Sequence, residues 1–274
     1  MAIAGEKKCE RKSYTFLRKE LPVRIANIMQ ELNLLPTNLL QMPSISLVQS
    51  WYEKSFAEIL EFENRDEKSD EILQNFCESL IRIRNRHSNV VPTMAQGIIE
   101  LKETHPVDSN TENCIQYFLN RFYMCRISIR MLINQHACLF GAEIPGHPRH
   151  IGCVDPNCDV HNLLIDAYEN AKYLCDEYYL NSPDLVVEQI NASGPQSSPM
   201  SIVAVPSHIH HILFELFKNA MRAVVEHSAD RGNDNIPPIR VTLCKGKEDI
   251  SIKVRRDFFL GPAKANLVCL RPYY

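Results

Sequence analysis

Hydrophobic residues recur at three- and four-residue steps through most of the first half of the chain, a spacing typical of amphipathic helices. The pattern predicts four long helices, over residues 14–34, 44–64, 68–87 and 111–140. A break at Val90-Val91-Pro92 is predicted to precede a shorter helix over residues 93–100. Four long helices with short polar connections favour an N-terminal four-helix bundle over residues 1–145.

The pattern changes after a segment rich in glycine and proline, residues 141–159, which is predicted to be a linker. Helical spacing returns over residues 160–180. Short β-branched runs then predict strands at 186–190, 201–205, 239–243 and 250–254, with a helix at 208–226 between the second and third. This order favours an α/β layer over residues 146–254, and the predicted fold class is α plus α/β.

The helix at 208–226 carries two opposed faces. Ser207 can accept a hydrogen bond from the first turn, so we expect the helix to start there. The apolar face consists of Leu213, Phe217, Ala220 and Val224. A polar stripe with the same spacing consists of Glu215, Asn219, Arg222 and Glu226. The two-residue offset corresponds to roughly 200° around the axis, so the faces point in nearly opposite directions.

Composition narrows the class of protein. Hydrophobic residues make up 45% and charged residues 23%, ordinary values for a globular protein. A net charge of −3 gives no general reason to expect nucleic acid or an anionic membrane as partner. No apolar run approaches the roughly 20 residues of a membrane helix. Residues 1–12 lack the apolar core of a signal peptide. They also do not form a clear mitochondrial presequence, because such segments are poor in acidic residues and this one contains Glu6 and Glu10.

The ten cysteines have no repeated spacing and are expected to be reduced thiols of an intracellular protein. One cluster, His150, Cys153, Cys158 and His161, has four ligands of the kind zinc prefers. The cysteine spacing is loose, however, and the intervening Pro-Asn pair is typical of a turn. We therefore expect no zinc site there.

Two strings resemble a known family. ELFKNAMR, residues 215–222, resembles the N-box of the GHKL ATPase and kinase superfamily, and more narrowly that of the mitochondrial pyruvate dehydrogenase kinases, which are related to branched-chain ketoacid dehydrogenase kinase. RNRHSNVVPTMAQG, residues 84–97, resembles the same kinases. The resemblance covers residues 9–254. It implies a Bergerat-type α/β sandwich, ATP with magnesium, the mitochondrial matrix, and phosphorylation of a serine that inactivates the E1 component of the pyruvate dehydrogenase complex.

The resemblance also implies roles for individual residues. Asn219 is expected to bind Mg²⁺, since an amide oxygen suits a hard cation. Glu215 is expected to be the base for the attacking hydroxyl, and His87 to polarise Glu215 across the domain interface. The whole box is expected to line the nucleotide site: Glu215, Leu216, Phe217, Lys218, Asn219, Ala220, Met221 and Arg222.

A second implied site is a pocket for pyruvate-like carboxylates in the bundle. Arg126 and Arg130 are four residues apart, so their guanidinium groups share one helix face. The matching family pocket predicts five residues: Tyr52, Ser55, Arg84, Arg126 and Arg130. The resemblance implies E1 and the lipoyl domain of the E2 component as partners, and members of the family form homodimers.

The resemblance stops after residue 254. The family continues with Asp-x-Gly-Gly-Gly, whereas this chain reads RRDFFLG over residues 255–261, and phenylalanine cannot take glycine conformations. We expect residues 255–274 to be a divergent tail, the sandwich to be incomplete with an unpaired sheet edge, and the dimer interface to be lost. Two hypotheses remain: a kinase, or a catalytically inactive truncated isoform acting only as a binding or regulatory module.

Overall fold

A computed structural model describes residues 2–66, 68–141, 149–192, 194, 199–229, 236–256 and 264–270. The chain divides into two compact units, Met1–His147 and Pro148–Tyr274. In the described residues, the first unit is helical and the second contains helices and two small sheets. The predicted mixture of helical and α/β structure is confirmed.

The first unit is built from long helices around one apolar core. In chain order the helices are α1 Ala2–Asn33, α2 Thr37–Leu40, α3 Pro43–Leu60, α4 Asp70–Arg86, α5 Val90–Thr104 and α6 Ser109–Phe140, with a 3-10 turn at His87–Asn89 between α4 and α5. Helix α1 packs on α3 and α6, and α4 packs on the same two helices. Their facing side chains, among them Tyr14, Tyr52, Phe76 and Phe122, are almost fully buried.

Two prolines lie within helices. Helix α1 begins well before residue 14, and Pro22 lies inside it. An interior proline loses a backbone hydrogen bond, but Leu21 and Ile25 beside it are fully buried, and this packing offsets the loss. The predicted break at Val90-Val91-Pro92 is wrong, because α5 begins at Val90. Pro92 falls in the first turn, where its missing N–H has no partner to lose.

The second unit combines two helices with two sheets. Its elements are β1 Asp155–Asp159, α7 Val160–Tyr179, β2 Leu185–Asn191, β3 Ser201–Ala204, α8 Pro206–Ala229, β4 Ile239–Lys245, β5 Ile250–Arg256 and β6 Lys264–Leu270. Strands β1 and β3 form an antiparallel pair. The larger sheet has the order β2-β4-β5-β6, with β2 parallel to β4 and the other neighbours antiparallel. Helices α7 and α8 pack together, and α8 also packs on β5.

At both ends of this unit the structure has a strand that the sequence pattern did not predict. The end of the predicted linker, Asp155–Asp159, is a strand because it pairs with the distant β3. The expected unpaired edge at β5 is also wrong, since β6 pairs with β5 from Ile250↔Leu270 to Arg256↔Lys264. Val268 and Leu270 pack against the core of the unit, and burial of these apolar side chains stabilises β6 on the sheet. Residues 257–263, including the segment that replaces the glycine box, lie outside the described residues.

Candidate functional site

Helix α8 has the two faces that its sequence predicts, although it starts at Pro206 rather than at Ser207. The apolar face is buried, each of its residues being at most 2% exposed: Leu213, Phe217, Ala220 and Val224. On the polar stripe, Asn219, Arg222 and Glu226 are exposed, and Glu215 is half-buried. The core therefore fixes which side of α8 faces solvent.

The charged groups on the stripe are paired along the helix. The Nζ atom of Lys218 lies 2.8 Å from Oε1 of Glu215. The Nε atom of Arg222 donates to Oε1 of Glu226 at 2.9 Å, and the hydroxyl of Tyr179 on α7 donates to the same oxygen at 3.1 Å. Both carboxylates thus have a neighbouring cation, and the two ion pairs lie on either side of Asn219.

A cavity of about 230 Å³ lies between α7 and α8. Its α8 wall consists of Lys218, Asn219 and Arg222, and its α7 wall includes Tyr178 and Tyr179. The two tyrosines were not predicted as site residues. Their signal in the sequence is a pair of adjacent aromatic residues at a helix end, of which Tyr178 remains 78% exposed. The remaining box residues serve packing, since Ala220 and Met221 are buried and Leu216 lies against the core.

His87 lies in the 3-10 turn of the first unit and is only 3% exposed. Its Nε2 atom is 3.0 Å from Oγ of Ser55 and 3.4 Å from the carbonyl oxygen of Trp51. The imidazole also lies against the ring of Tyr52, with 4.5 Å between the ring centroids. Burial lowers the pKa of His87 to about 4, and the nearby arginines add to this, so the ring is neutral at pH 7.

An ion pair that was not predicted lies beside His87. Arg86 donates from Nη2 to Oε1 of Glu58 at 2.6 Å and from Nη1 to Oγ of Ser55 at 2.8 Å. Both charged side chains are mostly buried, Arg86 at 16% exposure and Glu58 at 22%. Sequence patterns gave no signal for this pair, because the two residues lie 28 positions apart on different helices.

The structure brings most of the predicted carboxylate-pocket residues together. Arg126 donates from Nη2 to the carbonyl oxygen of His87 at 2.7 Å. Arg130 reaches the carbonyl oxygen of Arg84 at 3.5 Å. The positive charges of Arg126 and Arg130 act on the buried Tyr52 hydroxyl, but burial has the larger effect and raises the pKa of Tyr52. The side chain of Arg84 itself donates to Asn85.

Two polar atoms of the predicted pocket residues are buried without a partner within the described ranges of the chain. The hydroxyl of Tyr52 and the Nε atom of Arg126 are buried and have no hydrogen-bond partner among the residues that the structure describes. Buried donors without partners are costly, and in a native protein each needs an explanation such as a bound ligand. One acceptor-rich ligand placed between Tyr52 and Arg126 would satisfy both.

Three further predictions concern the pairing of His87 with Glu215, metal ligands and membrane-spanning helices. His87 and Glu215 lie in different units, and their pairing stays a prediction. In the part of the chain that is described, no three His, Cys, Asp or Glu side chains are grouped for metal binding, and His150 lies 3.5 Å from Asp155. No described helix has the length and hydropathy that a membrane span requires.

Comparison with known proteins identifies the family. Residues 2–155, more than half of the chain, match the family model of mitochondrial branched-chain alpha-ketoacid dehydrogenase kinase. The chain is 56% identical over 252 residues to the mitochondrial [pyruvate dehydrogenase (acetyl-transferring)] kinase of Drosophila melanogaster. It belongs to the mitochondrial pyruvate dehydrogenase kinase family. The resemblance inferred from the two motifs is confirmed.

Two human members of the family give the same result. The chain is 56% identical over 247 residues to isozyme 3 and 54% identical over 249 residues to isozyme 1. These matches cover 90% of this chain but 60% and 56% of the two kinases, and the Drosophila match covers 91% and 61%. The chain thus spans about three fifths of the length of these pyruvate dehydrogenase kinases.

Proposed function

We propose that this chain is a mitochondrial protein-serine kinase of the pyruvate dehydrogenase kinase type, which uses ATP and Mg²⁺ to phosphorylate and inactivate the E1 component of the pyruvate dehydrogenase complex. The observation that carries the proposal is the polar stripe of α8. Its apolar side is buried, so Glu215, Asn219 and Arg222 are held on the opposite side of the helix, where Asn219 and Arg222 line a cavity. The names of the relatives support the substrate and the compartment.

We propose the finer fold on the same basis. The first unit corresponds to the four-helix bundle of the family, supported by the mutual packing of α1, α3, α4 and α6. The second unit corresponds to part of a GHKL sandwich, supported by α7 and α8 lying together with α8 on the mixed sheet. In this family architecture the bundle also contacts the lipoyl domain of E2.

The described residues fit a magnesium–nucleotide complex in their donor chemistry. The exposed Asn219 offers one amide oxygen, and Mg²⁺ needs few protein ligands because it retains water and takes phosphate oxygens. Lys218 and Arg222 flank Asn219 on the cavity wall and would neutralise phosphate charge. When bound, the nucleotide supplies the phosphoryl group. Glu215 accepts the proton of the attacking serine hydroxyl, with Lys218 holding its carboxylate in place.

The carboxylate pocket of the first unit is the regulatory part of the proposal. The unpaired Tyr52 hydroxyl and Arg126 Nε atom fit a pyruvate-like carboxylate, which accepts hydrogen bonds only. The charges of Arg126 and Arg130 would offset the cost of taking that carboxylate out of water. Ser55 and Arg84 are the other proposed members of the pocket, and Arg130 reaches the backbone carbonyl oxygen of Arg84.

A second candidate function is a binding or regulatory module that transfers no phosphate. The specific observation in its favour is the sequence RRDFFLG at residues 255–261, which stands where the family has a glycine-rich box that contacts the nucleotide. Such a module would keep the carboxylate pocket. It differs from the kinase in a property that is simple to measure, the affinity for nucleotide.

Calorimetric titration of the full chain with Mg·ATP separates these two functions. Micromolar binding supports the kinase, and no binding at millimolar nucleotide contradicts it and favours the module. In the kinase, Asn219→Ala is expected to weaken Mg·ATP binding at least tenfold, because the metal loses its protein ligand. Asn170→Ala, at an exposed asparagine of α7, is the matched control and should bind as the wild type does.

Phosphorylation of E1 tests the role of Glu215. Loss of a general base lowers the rate by about 10²- to 10⁴-fold, so Glu215→Gln should lower kcat by that factor while the chain still binds Mg·ATP. Glu226→Gln removes a carboxylate about three helical turns away on the same stripe and should keep most of the activity. Full activity of Glu215→Gln would show that another group accepts the proton.

Titration with pyruvate tests the carboxylate pocket independently of catalysis. Arg126→Gln removes a charge-assisted hydrogen bond, worth about 1.5–3 kcal/mol, and should weaken pyruvate binding at least tenfold. Arg121→Gln changes an exposed arginine of the same helix and should leave the affinity unchanged. Equal pyruvate affinity in both variants would contradict the pocket.

A further inference from the structure

The hydroxyl group of Ser55 makes three short contacts whose donors and acceptors can be assigned. Its oxygen lies 2.7 Å from the carbonyl oxygen of Trp51, 2.8 Å from Nη1 of Arg86 and 3.0 Å from Nε2 of His87. A carbonyl oxygen only accepts, so the single hydroxyl proton of Ser55 is donated to Trp51. A guanidinium group only donates, so the Ser55 oxygen accepts from Arg86. One lone pair of this oxygen is left for His87.

These assignments determine the state of the imidazole. Because Ser55 has given its proton to Trp51, its contact with His87 requires an N–H at Nε2. The carbonyl oxygen of Trp51 also faces Nε2, at 3.4 Å, and again it can only accept. In the other tautomer, the Nε2 lone pair would face two acceptor oxygens inside the core, where an unmade hydrogen bond is costly.

We propose that Glu58, Arg86 and Ser55 form a positioning chain that holds the neutral His87 as its Nε2–H tautomer and leaves the Nδ1 lone pair available. None of the three need touch substrate. Each acts on His87 through its neighbour, and together they fix both the orientation of the ring and the atom that carries the proton.

Glu58 is the anchor of this chain. Its Oε1 atom lies 2.6 Å from Nη2 of Arg86, and the low exposure of both side chains reduces screening of the pair by solvent. Its second oxygen is buried and has no hydrogen-bond partner in the described chain. Arg86 is therefore the group that holds the carboxylate, and the carboxylate in turn keeps Nη1 of Arg86 on Ser55.

The tautomer has a consequence for catalysis that rests on the proposed function. A lone pair at Nδ1 accepts a hydrogen bond but cannot donate one, and an ionised carboxylate also only accepts. The Nδ1 atom of His87 could therefore bond to a carboxyl group only while that group carries a proton. If the predicted pairing with Glu215 is made, this tautomer would favour protonated Glu215, which is the direction a general base requires.

The test is the ring ¹⁵N spectrum of the full chain labelled with ¹⁵N-histidine, recorded at pH 7 with long-range ¹H–¹⁵N correlations. His87 is assigned by its loss in His87→Gln. The expected result is a protonated-type nitrogen at Nε2 and an unprotonated-type nitrogen at Nδ1. The reverse pattern, or rapid averaging between the two forms, would overturn the proposal. The result does not depend on ATP binding or kinase activity, so it stands apart from the proposed function.

Variants test the members of the chain. Ser55→Ala removes the hydroxyl oxygen that accepts from Nε2 of His87. Glu58→Gln removes the negative charge that keeps the Arg86 guanidinium group on Ser55. Each variant is therefore expected to make the Nδ1–H form of His87 detectable. Ser13→Ala is the matched control, since Ser13 bonds to His136, another buried histidine, at 2.8 Å. It should leave the His87 signals in place. An unchanged His87 spectrum in both Ser55→Ala and Glu58→Gln would contradict the positioning role.

Discussion

Two buried histidines give the first unit a specific response to acid. His136 is 2% exposed, with Nδ1 bonded to Ser13 and its ring against Phe76 and Phe140. Burial lowers the pKa of His136 to about 4, as it does that of His87. Both side chains are neutral in the folded chain, whereas in the unfolded chain each takes up a proton near pH 6.5.

We expect the free energy of unfolding of the first unit to fall as the pH is lowered from about 6.5 to about 4. In this range the unfolded chain binds more protons than the folded chain, so stability rises with pH and is lost on acidification. A pKa lowered from 6.5 to about 4 corresponds to about 3 kcal/mol for each histidine, at about 1.4 kcal/mol per pH unit. Urea unfolding followed by circular dichroism at several pH values measures this dependence.

A histidine variant shows which residue is responsible. His136→Phe keeps an aromatic ring in the core and removes one titrating group, so the loss of stability on acidification should fall by about half. His211→Gln, at an exposed position of α8, should leave the pH dependence unchanged. A free energy of unfolding that is constant between pH 6.5 and 4 would contradict both assignments.

At the level of single elements, α8 shows how packing determines which groups are presented. Phe217 is fully buried and meets Tyr168 edge to face, with 5.7 Å between the ring centroids. Arg222, five residues later, has a side chain that is 70% exposed. The two residues belong to the same sequence motif but serve different purposes, since one holds the helix on the core and the other faces the cavity.

Phe217→Ala should therefore destabilise the second unit by about 3–5 kcal/mol, because it removes a buried ring and leaves a cavity. Arg222→Ala should leave stability nearly unchanged, as is typical of an exposed ion pair. Denaturant midpoints of the two variants measure the difference. Equal midpoints would mean that α8 is not held by its apolar face.

Strand β6 offers a second test at this level. Val268→Asp places a charge where β6 packs against the core, so the strand should detach and those amides of β5 that point to β6 should lose protection from hydrogen exchange, while those bonded to β4 keep it. Cys269→Ser changes the neighbouring exposed side chain and should preserve that protection. Mass spectrometry of peptides covering Ile250–Arg256 measures the exchange. Unchanged protection in Val268→Asp would mean that β6 does not cover this edge.

For the whole molecule, the division into two compact units separates the proposed functions. The residues of the proposed carboxylate pocket and of the proposed positioning chain of His87 lie in Met1–His147, and the N-box helix lies in Pro148–Tyr274. Each unit has its own apolar core. The proposed kinase needs both units, whereas pyruvate binding needs only residues of the first.

We expect calorimetry to resolve two unfolding transitions, since separate cores melt as separate cooperative units. Acidification from pH 6.5 to 4 should lower the transition of the first unit more strongly, because it contains both His87 and His136. Phe217→Ala should lower only the other transition. A single transition that shifts in the same way in both experiments would show that the units unfold together.

Sequence periodicity by itself determined the long helices and the two faces of α8, because a helix repeats every 3.6 residues and its pattern is local. The two motifs determined the family and pointed to Glu215, Asn219 and His87. The pattern also placed most strands to within a few residues.

Only the tertiary structure decided features that depend on residues far apart in the chain. Strands β1 and β6 form because β3 and β5 supply their hydrogen-bond partners, and Pro22 stays inside α1 because its neighbours are buried in the core. The ion pair of Glu58 with Arg86 likewise depends on two helices meeting. Such pairings follow from packing between segments, and the local spacing of residues does not contain them.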